Sequence, residues 1–377
     1  MRPAVRHLTL TPRHYWLWPL TMVKIASFSA RSAATLLLPV SLLATPAAAQ
    51  TGVKEDSVIL QPDKVTDDAT ALLAAIENVG AEGLFAKDYN PDALAAAILA
   101  KDPARLDAIA TDTFLLLATH LRDGRTPNAA RKQWFMVDSD AETDPLLPLL
   151  ANALDNGTVA KALASLNPVH PDFAVLKAAL AGAKTPADAN AIRVNMERWR
   201  WMPRALGERY VVSNVPEYMT RVVHGGTVIA THKAVVGKPS TATPQLNPMA
   251  TGIIVNPNWT LPRSIINEGI GATIANNPAA ARAQGYTWTG SGKTLSVVQK
   301  PGPNNALGVM KMEMLNDHAI YLHDTPSKAA FNAATRAFSH GCIRTERALH
   351  FSGLMAVMFA GKSPEEFGGI AGCVLRL

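Results

Sequence analysis

The 377-residue chain is 48% hydrophobic and 18% charged, which excludes a disordered polypeptide and leaves room for two domains. Its net charge of +6 is concentrated in the first 49 residues, where Arg2, Arg6, Arg13, Lys24 and Arg31 have no acidic counterpart. The remaining 31 basic and 30 acidic residues leave +1, so charge gives no argument for nucleic acid or a membrane surface as partner.

Residues 1–49 read as a signal peptide. A basic region precedes an apolar run at 33–43, and Ala47, Ala48 and Ala49 form a small-residue cleavage site before Gln50. The run is too short to span a bilayer, and Pro39 and Pro46 interrupt it, so cleavage is expected rather than anchoring. Met22 offers an alternative start that leaves a signal of conventional length.

Residues 50–188 read as an α-helical scaffold domain. The segments 68–79, 91–100, 103–122, 145–154, 159–166 and 171–183 are rich in Ala and Leu, with Pro at starts and Gly80 and Gly124 at stops. No catalytic cluster occurs there, and His120 and His170 read as structural histidines.

Residues 189–377 read as a second, mainly β domain. From Arg209 the apolar period becomes two, predicting strands at 209–215, 218–224, 227–231, 234–236, 252–255, 294–298, 308–314 and 320–323. Gly225 and Gly226 suit a tight hairpin. Between 263 and 305 the pattern turns irregular, with a short helix at 279–284.

The chemistry gathers in two stretches, Tyr321-Leu322-His323-Asp324-Thr325 and Ser339-His340-Gly341-Cys342-Ile343-Arg344, with fifteen residues between His323 and Ser339. Cys342 is the candidate nucleophile, and a thiol needs a base or a positive environment to react. His340 lies two residues away, at roughly 6.5 Å between Cα atoms if extended. His323 belongs to another strand, where direct opposition brings Cβ atoms to ~4.5–5.5 Å. That favours His323 as base and His340 as support, with the Asp324 carbonyl or carboxylate orienting the ring. The amides of Gly341 and Cys342 are candidate oxyanion donors. Thr345 reads as the N-cap of a following helix, whose terminus would favour the thiolate. Arg344 offers a fork for a carboxylate. His318, His323, His340 and Cys342 also fit a zinc site, so residue chemistry leaves catalysis and a metal or structural role both open. Cys373 is the other cysteine and reads as a packed thiol.

The two stretches resemble the signature of the L,D-transpeptidase catalytic domain, the YkuD-like fold. Val194-Asn195-Met196-Glu197-Arg198-Trp199-Arg200-Trp201-Met202-Pro203 resembles the entry to the catalytic domain of the YcbB-like subfamily, and Val236-Gly237-Lys238-Pro239, the Asn256–Pro262 run and the Pro301–Gly308 run resemble the same subfamily, with no room for its peptidoglycan-binding module. The resemblance implies a β-sandwich or barrel carrying a helical capping insertion, working in the periplasm. It implies acyl transfer from a peptidoglycan tetrapeptide stem to the amine of a second stem, with release of D-alanine. Cys342 would attack, His323 would move the proton, and Ser339, His340 and Gly341 would complete the catalytic loop. Arg344, Tyr321, Asp324, Lys311 and Trp259 would meet substrate. The resemblance implies no metal and no cofactor, a monomer, and β-lactams of the carbapenem type as inhibitors. A thiol hydrolase acting on the same acyl-enzyme is the alternative, and a non-catalytic wall-binding or zinc protein is a third reading.

Overall fold

A computed structural model describes residues 6–9, 62–136 and 145–361. The apolar run and cleavage site of the expected signal, and Cys373, lie outside the described residues. No helix among the described residues is long and apolar enough to cross a membrane.

The helical half follows the expected pattern. Helices α1 (Pro62–Asn78), α2 (Pro91–Leu99), α3 (Pro103–Asp123), α4 (Leu146–Asn156), α5 (Val159–Ser165) and α6 (Pro171–Ala181) form it. Proline at the first turn presets φ where no amide donor is missed. Asp102 caps α3 by accepting from the Arg105 amide at 3.1 Å. Leu72, Ile76, Leu94, Phe114, Leu117, Leu150 and Leu163 share one apolar core, at about 1.5–3 kcal/mol for each large side chain buried. His120 is structural, as expected, with its Nδ1 3.0 Å from the Tyr89 hydroxyl.

One segment belongs elsewhere than the sequence suggested. Residues 194–200 of the stretch expected at the entrance of the catalytic domain lie on helix α7 (Pro186–Arg200), which docks on the scaffold. Met196 and Arg200, one turn apart, are fully buried. The Arg200 guanidinium donates to Leu121 O, Glu82 O and Asn167 Oδ1 at 3.2, 2.6 and 3.3 Å. Burial lowers its pKa to about 10, which leaves it charged at neutral pH.

The second half is built on a nine-stranded mixed sheet. Its strands are β1 (Arg6–Thr9), β2 (Arg209–Asn214), β3 (Met219–His224), β4 (Thr227–Gly237), β5 (Ala250–Val255), β9 (Met310–Met314), β10 (Leu322–His323), β11 (Ala337–Ser339) and β12 (Ile343–Thr345). The main order is β1-β5-β9-β10-β12-β4-β3-β2, with β11 paired to β4. Thus β1, inside the expected leader, pairs antiparallel with β5. The two strands predicted at 227–231 and 234–236 are one continuous strand, β4. Gly225 and Gly226 both take positive φ, 54° and 74°, in the β3–β4 hairpin turn.

Alternation gives the sheet two chemically different faces. Met310, Met312, Leu322 and Ile343 point to the core, where Phe351 and Met355 of helix α10 (Ala348–Ala360) cover them. The residues between them face the other way, and those residues are Lys311, His323 and Arg344.

The excursion between β5 and β9 has a core of its own. Strands β6 (Trp259–Thr260), β8 (Ser296–Gln299) and β7 (Tyr286–Thr289) pair in that order, with helices α8 (Gly271–Asn276) and α9 (Pro278–Ala283) beside them. Leu261, Ile266, Ile274, Ala281, Tyr286 and Val297 fill its centre, and Trp288 packs there rather than in a cleft. The Pro301–Gly308 run ties the insertion to the sheet. Buried Asn305 donates to Pro257 O and Lys300 O, both at 3.0 Å, and accepts from the Leu307 amide at 2.8 Å.

Candidate active site

The β10–β12 pairing assembles the site. The strands run parallel, with Leu322 opposite Ile343 and His323 opposite Arg344; on the far side, β9 sets Lys311 opposite His323. The sequence expectation set His323 directly across from Cys342, and the register corrects it. Tyr321 takes that place, and His323 is a diagonal neighbour, one side-chain repeat farther along β10. A two-residue register difference between paired strands cannot be read locally.

Cys342 is a free, half-buried thiol whose Sγ lies 3.7 Å from Ala319 O. Tyr321 stands beside the sulfur, and Trp259 stands beside Tyr321. Burial raises the thiol pKa, and Tyr321, Lys311 and Arg344 only partly offset this. The helix expected to favour the thiolate does not begin at Thr345. Thr345 is the buried last residue of β12, opposite Ala234, and α10 starts only at Ala348. The β-branched Thr345 continues the strand alternation instead of capping.

His323 is 5% exposed. Its Nδ1 donates to Asp324 O at 2.5 Å, which fixes the tautomer and leaves Nε2 as the acceptor. Burial, and secondarily the Arg344 charge, push its pKa down to about 3. The imidazole is therefore neutral at physiological pH, and so is the thiol. The pair suits proton transfer during attack rather than a standing thiolate–imidazolium pair.

The carbonyl of Asp324 orients the ring, one of the two options the sequence left open. Its carboxylate does not face substrate, contrary to expectation. It is buried, accepts from the Val309 amide at 3.1 Å and pairs with Lys328. It also fills the space a Cβ on Gly308 would need. A carboxylate cannot be buried without such partners, and these were invisible in sequence.

The catalytic loop is braced from beneath. Ser339 Oγ donates to Cys342 O at 2.5 Å and accepts from the Gly341 amide at 3.1 Å. The Gly341 amide is thereby committed inward, so of the two expected oxyanion donors the Cys342 amide is the one left open. Buried Thr243, which no motif in the sequence singled out, donates to Gly341 O at 2.7 Å and accepts from the Gly237 amide at 2.9 Å. Thr241 Oγ1 and the Lys238 amide hold Ser339 O. The scaffold reaches this support too, because Phe135 N donates to Gln245 O and Gln245 N to Gln133 O. Gly341 has φ +115°, and a Cβ there would lie 2.9 Å from Ile320 Cδ1. Gly341→Ala is expected to cost about 1–3 kcal/mol of stability, read in thermal melts, and to alter Cys342 alkylation rates.

The other expected substrate residues surround this centre. Lys311 Nζ sits 4.3 Å above the Tyr321 ring, and the Tyr321 and His323 rings meet edge to face at 5.6 Å. Arg344 and Trp259 are half-buried. His340 is exposed, and its Nε2 lies 2.8 Å from Glu268 Oε2 of the insertion, a partner the sequence reading missed. His318 packs at a tilt against Phe135 of the scaffold, 4.1 Å between centroids. The histidines of the zinc reading thus point apart, and among the described residues no three His, Cys, Asp or Glu side chains are grouped to hold a metal ion.

The model of the L,D-transpeptidase catalytic domain, YkuD, matches residues 208–357. This chain carries an L,D-transpeptidase catalytic domain. A Scaffold domain model matches residues 54–180 ahead of it. A Haemophilus influenzae protein named "Putative L,D-transpeptidase" is 29% identical over 172 residues, covering 41% of this chain. The matched segment is 35% of that relative's length, so the likeness spans about a third of it. The β-rich catalytic fold behind a helical scaffold agrees with these matches. Helix α7 lies between the two matched spans, and its buried Arg200 makes it part of the scaffold's packing. In the L,D-transpeptidase domain the matched span contains the whole 321–344 site.

Proposed function

We propose that the protein is an exported, periplasmic peptidoglycan L,D-transpeptidase. The observation that carries this reading is the pairing of β10 with β12. It sets a free thiol, an oriented neutral imidazole and the cations Lys311 and Arg344 on one face. Cys342 Sγ attacks the carbonyl of the third residue of a tetrapeptide stem as the thiol turns from Ala319 O toward His323 Nε2. His323 takes the thiol proton and delivers it to the departing D-alanine nitrogen. The Cys342 amide donates to the oxyanion. Lys311 and Arg344 pair with stem carboxylates, and Tyr321 and Trp259 line the wall beside the sulfur. An amine of a second stem then takes the acyl group. The subfamily without a peptidoglycan-binding module fits the direct run from α6 into α7, and carbapenems are expected to acylate Cys342.

Purified protein, incubated with tetrapeptide stems and analysed by mass spectrometry, should release D-alanine and form cross-linked dimers. Release of D-alanine with tripeptide as the sole product would replace transfer by hydrolysis.

A further inference from the structure

Two contacts pin the insertion across the thiol. At its start, Trp259 lies beside Tyr321, next to the sulfur. Farther along, Glu268 reaches His340, two residues from Cys342. Glu268 lies in the π-helical stretch Ile266–Ile270, where Gly269 leaves helical geometry at φ 142°. Such irregular turns aim a side chain where a regular helix would not.

Charge divides the site. The sheet side carries Lys311 and Arg344. The Asp324 carboxylate is buried and occupied. Glu268 is the carboxylate that faces the catalytic loop from the insertion, and its side chain is 49% exposed. A carboxylate has about four acceptor positions, so Glu268 can hold His340 and an ammonium ion together.

We propose that Glu268 binds the ammonium group of the acceptor, while Lys311 and Arg344 hold the donor's carboxylates. This rests on the transpeptidase reading above. The acceptor arrives as an ammonium ion and leaves as an amide, so its nitrogen sheds two protons. One reaches the departing thiolate by way of His323 Nε2, as the N–C bond forms and the C–S bond breaks. The other goes to solvent and matches the proton that D-alanine takes up in the first half-reaction. Glu268 changes no protonation state. It orients the nitrogen and favours amine over water.

The test compares wild type, Glu268→Gln and Glu268→Asp. Each is given a tetrapeptide donor and a rising concentration of an acceptor stem bearing one free side-chain amine, with products quantified by mass. For Glu268→Gln the acceptor KM is expected to rise about tenfold, the scale of a half-exposed charged hydrogen bond, while the donor KM stays within about twofold. The transfer-to-hydrolysis ratio should fall in proportion, and Glu268→Asp should recover part of it. If donor and acceptor KM rise together, Glu268 only holds the insertion through His340 and the acceptor role is overturned. An unchanged ratio overturns it equally. A wild type that forms no thioester with the donor overturns the transpeptidase reading itself.

Discussion

Cys342→Ala is expected to abolish thioester formation and D-alanine release, a loss on the order of 10⁴-fold or beyond detection. In the proposed mechanism the sulfur is the nucleophile, and nothing beside it substitutes. The Tyr321 hydroxyl is held well above its ordinary pKa by burial, so it does not supply an anion. The Ser339 hydroxyl is spent on the Cys342 carbonyl. Cys342→Ser keeps the shape but presents a far weaker acid to the same neutral imidazole, and should be nearly as inactive. Both variants should melt close to wild type, because the sulfur's contact with Ala319 O is long, at 3.7 Å. Intact-mass spectra after donor exposure decide the matter. An adduct on the wild type and none on either variant is the expected outcome. An adduct persisting on Cys342→Ala would move the nucleophile elsewhere.

Much of this site was legible because its chemistry is local. Ser339, His340, Gly341 and Cys342 are consecutive, and the roles proposed for them follow from side-chain types. Helices α2, α3 and α6 were legible because a proline marks each start, whereas α1 begins at Pro62, six residues before its expected start; the β3–β4 hairpin was legible because two adjacent glycines demand its turn. What the sequence hid was non-local. The parallel register of β10 and β12 put Tyr321, not His323, beside Cys342. Val309 and Lys328 took the Asp324 carboxylate out of the substrate set. Thr345 stayed in the sheet because its partner on β4 is Ala234, and so the helix was delayed to Ala348. Arg200 read as part of a catalytic entrance, but its three acceptors lie on the scaffold. Glu268 and Thr243 stand in ordinary sequence surroundings, and only folding brings them to the catalytic loop.

His323→Gln is expected to slow D-alanine release by about 10²–10⁴-fold, the range of a lost general acid–base group, while leaving Cys342 in place for direct alkylation. Glutamine keeps a donor for Asp324 O but offers no basic nitrogen toward the thiol. The pH dependence separates this role from a packing role. In wild type the imidazole is neutral above about pH 3, far below its ordinary 6.5. D-alanine release should therefore show no acidic limb from His323 between about pH 4 and 8. Direct alkylation behaves differently, because it needs the thiolate. Its rate should climb toward alkaline pH in both wild type and variant, since burial raises the thiol's pKa. Stability carries the same signature. A group whose pKa is lowered on folding binds its proton more readily in the unfolded chain. The stability associated with neutral His323 is thus complete above pH 6.5 and is lost as pH falls from there toward about 3. His323→Gln should flatten that stretch of the melting-temperature curve. A variant that released D-alanine at the wild-type rate would remove His323 from the mechanism, and the exposed His340 would then have to carry the proton.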